Sequence, residues 1–488
     1  MAKPVELQRQ FARMERDLPR NALRDGSAWN IVDYIPSHDA ALRGRGGWTN
    51  ASNDIAATTA TAAYVIGGIY ANYTAGATLI AFDEDGRLYK IASNGTVTDV
   101  GASRVIGQNP IMHRDKVIVT DGSGANAPQK VTNSAGTLTI ASLGGSPPSA
   151  FYSTLFEDRT VLARTTANNN RIWFSDPGDP EGWDTTNTWW DFTLPITGVT
   201  SLRRQILVFH DEAISRLVGS TPPPGSDFDA ADPLFHVGCS DAKSIATTDD
   251  RVLFANPEGI FITDGSAKPA NLALLCGMQK YWRELLSAYA STWTISGAVY
   301  QNHYFFCVMD GSTFKDAGMI NLDRLSWLRL SNVDARAMWT GEAQTDKLYF
   351  GRRGAARVGE LSSIFQPAAG VKNDGDGDAV APVFESAYYE GKLGEKAFKT
   401  FLLGYELTDY ATDNPTLSAG YIKTPEDTSY TALTGTAAEN SKRGYKRWPL
   451  GFGADGIAFQ VTKANAGDVK LWSLEADVHG REQSRRAA

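Results

Sequence analysis

The stretch Val252-Leu253-Phe254-Ala255, a turn at Asn256-Pro257-Glu258-Gly259, then Ile260-Phe261-Ile262-Thr263 decides the fold. Two short runs of β-branched and aromatic residues around a turn read as a hairpin whose strands are covered on both faces. The same pattern recurs along the chain. Residues 78–82 go with 87–91, 117–120 with 129–131, 160–163 with 171–174, 206–209 with 214–217, 304–307 with 319–322, and 348–350 with 357–359. The first strands start near 78, 117, 160, 206, 252, 304 and 348. Their spacing of roughly 40 to 50 residues is the length of one four-stranded propeller blade. A β-sandwich spaces its strands more closely and shows no such higher period. One blade cannot bury both its faces alone, so the copies must stack in a ring. The chain is therefore expected to be all-β: a β-propeller of seven blades, with an extended N-terminal segment and a small C-terminal β-sandwich.

The expected organisation is an N-terminal helix or extended arm over 1–54, the propeller over 55–370, a linker over 371–382, the sandwich over 383–478 and a tail over 479–488. Leu7, Phe11, Met14 and Leu18 fall at helical spacing, and a frayed arm is the alternative. Met278, Trp282, Leu285, Leu286 and Tyr289 share one face of a helix predicted over 279–290, an insertion that covers a blade edge or meets a partner. Residues 366–382, rich in Ala, Gly and Asp, mark the boundary before the strand-like runs 399–407, 456–461 and 469–476.

Composition suits this reading. Of 488 residues, 42% are hydrophobic, enough for buried cores, and 46 glycines with 21 prolines suit a turn-rich β protein. The formal net charge of −8 argues against a surface that grips nucleic acid throughout, though not against a channel that DNA passes through. No run approaches the roughly 18 apolar residues of a membrane-spanning helix, and the N-terminus lacks an apolar signal core, so synthesis in a cytosol is expected. Cys239, Cys276 and Cys307 have neither disulfide nor metal spacing and read as buried thiols.

Signals for chemistry are sparse, and the chain is read as a non-enzyme without a cofactor. The six histidines are scattered, with no second ligand at metal spacing. The carboxylates of residues 175–184 suggest the acid pair of a propeller glycosidase, against a rigid turn packed by Trp183, Trp189 and Trp190. Asp374, Asp376, Asp378 and Glu385 place oxygens like a calcium loop, but Ala379 stands where that loop needs glycine. A solvated turn is the stronger reading of these four.

Two segments carry a resemblance. The first runs Leu23-Arg24-Asp25-Gly26-Ser27-Ala28-Trp29-Asn30-Ile31-Val32-Asp33-Tyr34-Ile35-Pro36 and continues at Ala41-Leu42-Arg43-Gly44-Arg45-Gly46-Gly47-Trp48. It resembles the lead-in to the first blade of tailed-phage virion proteins with β-propellers. Arg171-Ile172-Trp173-Phe174-Ser175, with the turn that follows, is similar to their mid-propeller stretch, and residues 389–399 are more weakly similar to their C-terminal domains. The family includes the tail nozzle (tail tubular protein B) and the packaged-DNA stabilisation protein. The resemblance implies a homohexameric ring below the adaptor and portal, in the virion tail. Such a ring would hold packaged DNA, pass it through a lumen without sequence-specific binding, and contact tail fibres or tailspikes. A monomeric propeller that binds a protein or glycan is the alternative, and a propeller glycoside hydrolase a weaker one.

Overall fold

A computed structural model describes residues 5–8, 13–23, 27–36, 42–45, 47–55, 64–341, 347–352, 357–362, 380, 382–390, 396–407, 416–433, 443–454, 456–464 and 469–480. Seven antiparallel four-stranded units follow one another. Blade 1 comprises Val65–Tyr73, Gly76–Asp83, Arg87–Ile91 and Val97–Ala102. Blade 2 comprises Ile111–His113, Lys116–Val119, Gln129–Ser134 and Thr137–Ser142. Blade 3 comprises Tyr152–Phe156, Arg159–Ala163, Arg171–Asp176 and Asp179–Trp183, and Trp189–Asp191 also pairs with its third strand. Blade 4 comprises Gly198–Leu202, Gln205–Phe209, Ile214–Val218 and Asp229–Phe235. Blade 5 comprises Ala246–Thr247, Val252–Asn256, Gly259–Thr263 and Ala270–Asn271. Blade 6 comprises Trp293–Tyr300, His303–Asp310, Thr313–Asn321 and Ser326–Arg329. Blade 7 has Ala335–Thr340, Leu348–Arg352 and Val358–Leu361, and takes its outer strand, Thr49–Asn50, from the N-terminal segment.

The apolar hairpins of the sequence are the second and third strands of each blade. The second strands, such as Val252–Asn256 and Leu348–Arg352, are buried along their whole length, which is why they read as unbroken apolar runs, while third strands such as Gln129–Ser134 are only partly buried. The cores lie between blades. Val65, Leu79 and Tyr89 of blade 1 meet Ala337, Trp339 and Tyr349 of blade 7, which closes the ring. A parallel bridge between Tyr70 and Gly341 joins the inner strands there. Gly68 has to lack a side chain, since a Cβ would come within 2.4 Å of the Trp339 ring. Phe82 and Val117 lie in the core of blades 1 and 2, Phe174 and Val208 in that of blades 3 and 4, and Phe209 and Phe254 in that of blades 4 and 5. Blades 2 and 3 meet through polar contacts, including His113 Nδ1 to Thr160 Oγ1 at 2.8 Å.

The C-terminal part is a sandwich, but the N-terminal segment builds much of it. One sheet is ordered Tyr34–Pro36, Leu42–Gly44, Val469–Gly480, Lys396–Leu407, Arg443–Ala454, with Val5–Gln8 also on Val469–Gly480. The other carries Ser27–Val32, Val383–Ser386, Gly456–Ala464, Thr416–Ile422 and Thr431–Ala432. Phe401 and Phe459 stack between the two sheets at 3.9 Å, with Trp448 against Phe401 at 5.6 Å. Ser27–Val32 also pairs with the outer strand of blade 6 through Val32 and Arg329, so one 11-stranded sheet runs from the propeller into the sandwich.

These pairings decide one alternative and correct two boundaries. Of the helix and the extended arm over 1–54, the structure has the extended form where Leu7 and Met14 lie. Val5–Gln8 is a strand on Val469–Gly480, and Arg13–Met14 pairs in parallel with Ser27–Val32. A ready sheet edge outweighs a local helical period too short to be stable alone. The propeller does not begin at 55, because Thr49–Asn50 completes blade 7. The sandwich is not confined to 383–478, and its last strand reaches Gly480. The predicted helix over 279–290 is a short helix, Gln279–Leu285, after a single turn at Leu272–Leu275. Its Trp282 is fully buried edge-on against Phe306 of blade 6 and donates to the Asn256 carbonyl of blade 5, at 2.9 Å. No helix among the described residues is long and apolar enough to cross a membrane.

Trp282→Ala empties the largest side chain at the junction of blades 5 and 6. It is expected to cost about 3–5 kcal/mol and to lower the urea unfolding midpoint; an unchanged midpoint contradicts that packing role.

Candidate functional site

Residues of the 23–48 lead-in assemble at the seam where the N-terminal segment enters the ring. Asp33 is completely buried, and its Oδ1 accepts from Arg45 Nε at 2.8 Å and from the Ser331 amide at 3.0 Å. The Ser331 hydroxyl donates to its other oxygen. Arg45 Nη2 reaches the Ser331 carbonyl at 3.0 Å. A buried pair with this many hydrogen bonds satisfies its charges, whereas one partner left alone is severely destabilising. Trp48 packs edge-on against Phe350 at 5.3 Å, and Arg352 lies 4.1 Å over its ring. These contacts place Thr49–Asn50 against Val358–Leu361.

Beside the seam lies a cleft of about 900 Å³ between blades 7 and 1, lined among others by Asn50, Asn53, Tyr70, Asn94, Lys347 and Glu360. Tyr70 and Tyr349 stack 6.1 Å apart with an interplanar angle of 5°. Lys347 Nζ pairs with Glu360 Oε1 at 2.6 Å. Amides, an ion pair and an aromatic floor suit a polar ligand held by hydrogen bonds and stacking. Sequence reading missed this cleft, because it joins residues about three hundred positions apart.

The propeller axis is crossed by its own chain. In the segment before blade 2, Gln108 Nε2 donates to the Val199 carbonyl on the inner strand of blade 4, at 3.0 Å. Asn109 Nδ2 donates to the Met338 carbonyl of blade 7 at 2.9 Å, and its Oδ1 accepts from the Gly68 amide of blade 1 at 3.4 Å.

The residues singled out for chemistry have structural partners. Asp374, Asp376 and Asp378 lie outside the described residues. Glu385 accepts from Arg20 Nη2 at 3.0 Å and from Gln460 Nε2 at 3.1 Å, tying the N-terminal segment to the sandwich. Among the described residues no cluster of three His, Cys, Asp or Glu is placed to hold a metal. In the 175–184 segment, Asp184 caps its own turn through the Thr186 and Asn187 amides, both at 3.1 Å. Glu181 reaches back to blade 2, where Lys116 lies at 2.5 Å, Lys130 at 2.6 Å and the Gly144 amide at 2.9 Å. The two ammonium groups hold its carboxyl at about 2. Burial pushes the Cys239 and Cys276 thiols up to about 12, and the three cysteines are free and buried. Burial pushes His113, His210 and His303 below the usual imidazole range.

No family model matches the chain, and no curated protein does. Among solved structures, PorZ, a surface component of the type-IX secretion system of Porphyromonas gingivalis, aligns at 11% identity with a TM-score of 0.34, covering 56% of this chain and 34% of its own. This chain thus spans about a third of PorZ. BamB from Moraxella catarrhalis aligns at 12% identity with a TM-score of 0.36, over 67% of this chain and 95% of its own. BBS1N, solved in complex with ARL6DN, aligns at 12% identity with a TM-score of 0.41, over 67% of this chain and 99% of its own. The propeller assignment rests on the strand ladders and the ring closure.

Two outcomes follow from the seam and from Glu181. Arg45→Met strands the Asp33 carboxylate and is expected to cost about 3–5 kcal/mol, read as a lower urea midpoint by tryptophan fluorescence; an unchanged midpoint contradicts the lock. Because the Glu181 carboxyl is depressed in the folded state, its stabilisation is full above the ordinary value of 4.5 and is lost as pH falls towards about 2. Glu181→Gln is expected to cost about 1.5–3 kcal/mol at pH 7, with the deficit shrinking through that window, and a pH-independent deficit would contradict it.

Proposed function

We propose that this chain is a structural subunit of a bacteriophage tail. It would form a homohexameric ring below the adaptor and portal that helps retain packaged DNA and passes it out on infection. The observation that carries the reading is the 11-stranded sheet running from blade 6 into the sandwich. At the junction Val32 pairs with Arg329, and the Asp33 amide donates to the Arg329 carbonyl at 2.9 Å, which ties the two parts together as a part under internal pressure requires. The phage-like lead-in adds support, since its Asp33, Arg45 and Trp48 form the seam of the ring. Gln108 and Asn109 span the propeller axis, so the conduit in this reading is the lumen between subunits. Fibres or tailspikes are further partners in the same reading, and the chain has no catalytic role in it.

The test is the mass and symmetry of the purified protein, alone and with adaptor or portal rings, by light scattering and negative-stain imaging. A six-fold ring, free or templated, is expected; a chain that never joins a ring overturns the proposal. The cleft between blades 7 and 1 favours a second reading, a monomeric module for a glycan or protein. Binding on a glycan or peptide array that Tyr70→Ala abolishes would favour that reading instead.

A further inference from the structure

The strand Arg443–Ala454 ends its sheet, pairing with Lys396–Leu407 on one side and with no strand on the other among the described residues. Among the described residues this leaves a twelve-residue strand with one free edge, a ready template for a partner. Lys446 and Arg447 concentrate positive charge there in a chain whose formal net charge is −8. Arg447 is exposed and Lys446 is half-buried, while Trp448 between the sheets anchors the strand. Lysine, arginine and proline also protect edges from indiscriminate pairing. The edge at Arg447 and Pro449 is therefore suited to one charge-matched partner rather than to any strand.

The opposite charge lies across the ring. The sandwich grows from blade 6 beside the seam of blade 7, and blades 3 and 4 occupy the far side of the propeller. Their outer rim exposes Asp176, Asp179, Asp184, Asp227 and Asp229. Cations of the same rim are matched by acids, Arg171 by Asp191 at 2.5 Å, Arg114 by Asp158 and Arg204 by Glu157 at 3.7 Å, which leaves the five aspartates in excess. Asp229 opens the outer strand of blade 4, whose own outer edge is unpaired among the described residues.

We infer that the basic edge of Arg443–Ala454 in one copy docks on the acidic rim of blades 3 and 4 of a second copy. The two patches differ and sit on opposite sides of one molecule. Their contact is therefore head-to-tail, which closes into a ring or continues as a filament according to its rotation. The inference rests on the ring reading and names the surfaces that would make it.

The experiment compares the full-length chain, Arg447→Glu, Asp229→Lys and an equimolar mixture of the two variants by sedimentation velocity at low and high salt, with and without adaptor rings. Each variant alone is expected to self-associate about tenfold more weakly, since each carries like charges at the contact. The mixture regains association, because the charge-reversed edge of one variant meets the charge-reversed rim of the other. The wild-type assembly is also expected to weaken with salt. Circular dichroism melts check that both exposed substitutions leave the fold intact. Rings that form equally well in all samples overturn this interface and leave the ring reading standing. A wild-type chain that stays monomeric even on adaptor rings overturns both.

Discussion

The molecule depends on a strand that blade 7 does not supply for itself. Its three consecutive strands end at Leu361, and the fourth, Thr49–Asn50, arrives from the other end of the chain. A propeller ring that borrows one strand cannot finish folding until its distant segments meet. The loop-closure entropy of joining residues some three hundred positions apart must be offset locally. The buried Asp33–Arg45 pair, its bonds to Ser331, and Trp48 between Phe350 and Arg352 supply that offset.

The same N-terminal segment makes propeller and sandwich one body. Ser27–Val32 lies between the outer strand of blade 6 and Val383–Ser386. Arg16 lies over Trp29 at 4.3 Å, and Arg20 sits between Trp29 at 5.1 Å and Tyr430 at 5.5 Å. Cation–π contacts of this kind strengthen when desolvated, and here they join the start of the chain to the sandwich. Asp17 adds a cap, accepting from the Lys280 amide at 2.7 Å and holding the inserted helix to the same strap.

Electrostatics inside the ring serves mainly cohesion. Where blades meet without a large apolar patch, as at blades 2 and 3, ion pairs and hydroxyl bonds take over. Glu181 with two lysines and His113 with Thr160 are the main examples. Of the carboxylates that resemble a hydrolase pair in the sequence, Asp179 and Asp184 accept from amides of their own turns and Glu181 bonds across to blade 2. Glu385, the calcium-like candidate within the described residues, is committed to Arg20 and Gln460.

The sequence by itself determined the repeat. The second strand of each blade is buried along most of its length and the third in part, so apolar character runs along the hairpins and survives as a period of roughly 40 to 50 residues. Inner and outer strands such as Ile111–His113 or Ala270–Asn271 are short and half-covered, and leave no such mark. The lead-in was visible as a motif, but its task was not, because Asp33 and Arg45 have meaning only beside Ser331. The choice between helix and extended arm near Leu7 stayed open for the same reason: the edge of Val469–Gly480, far away in sequence, decided it. Tertiary structure alone decided which strand closes the ring, where the cleft between blades 7 and 1 opens, and which charges face outward. Each of these joins residues that chain spacing separates and only packing brings together.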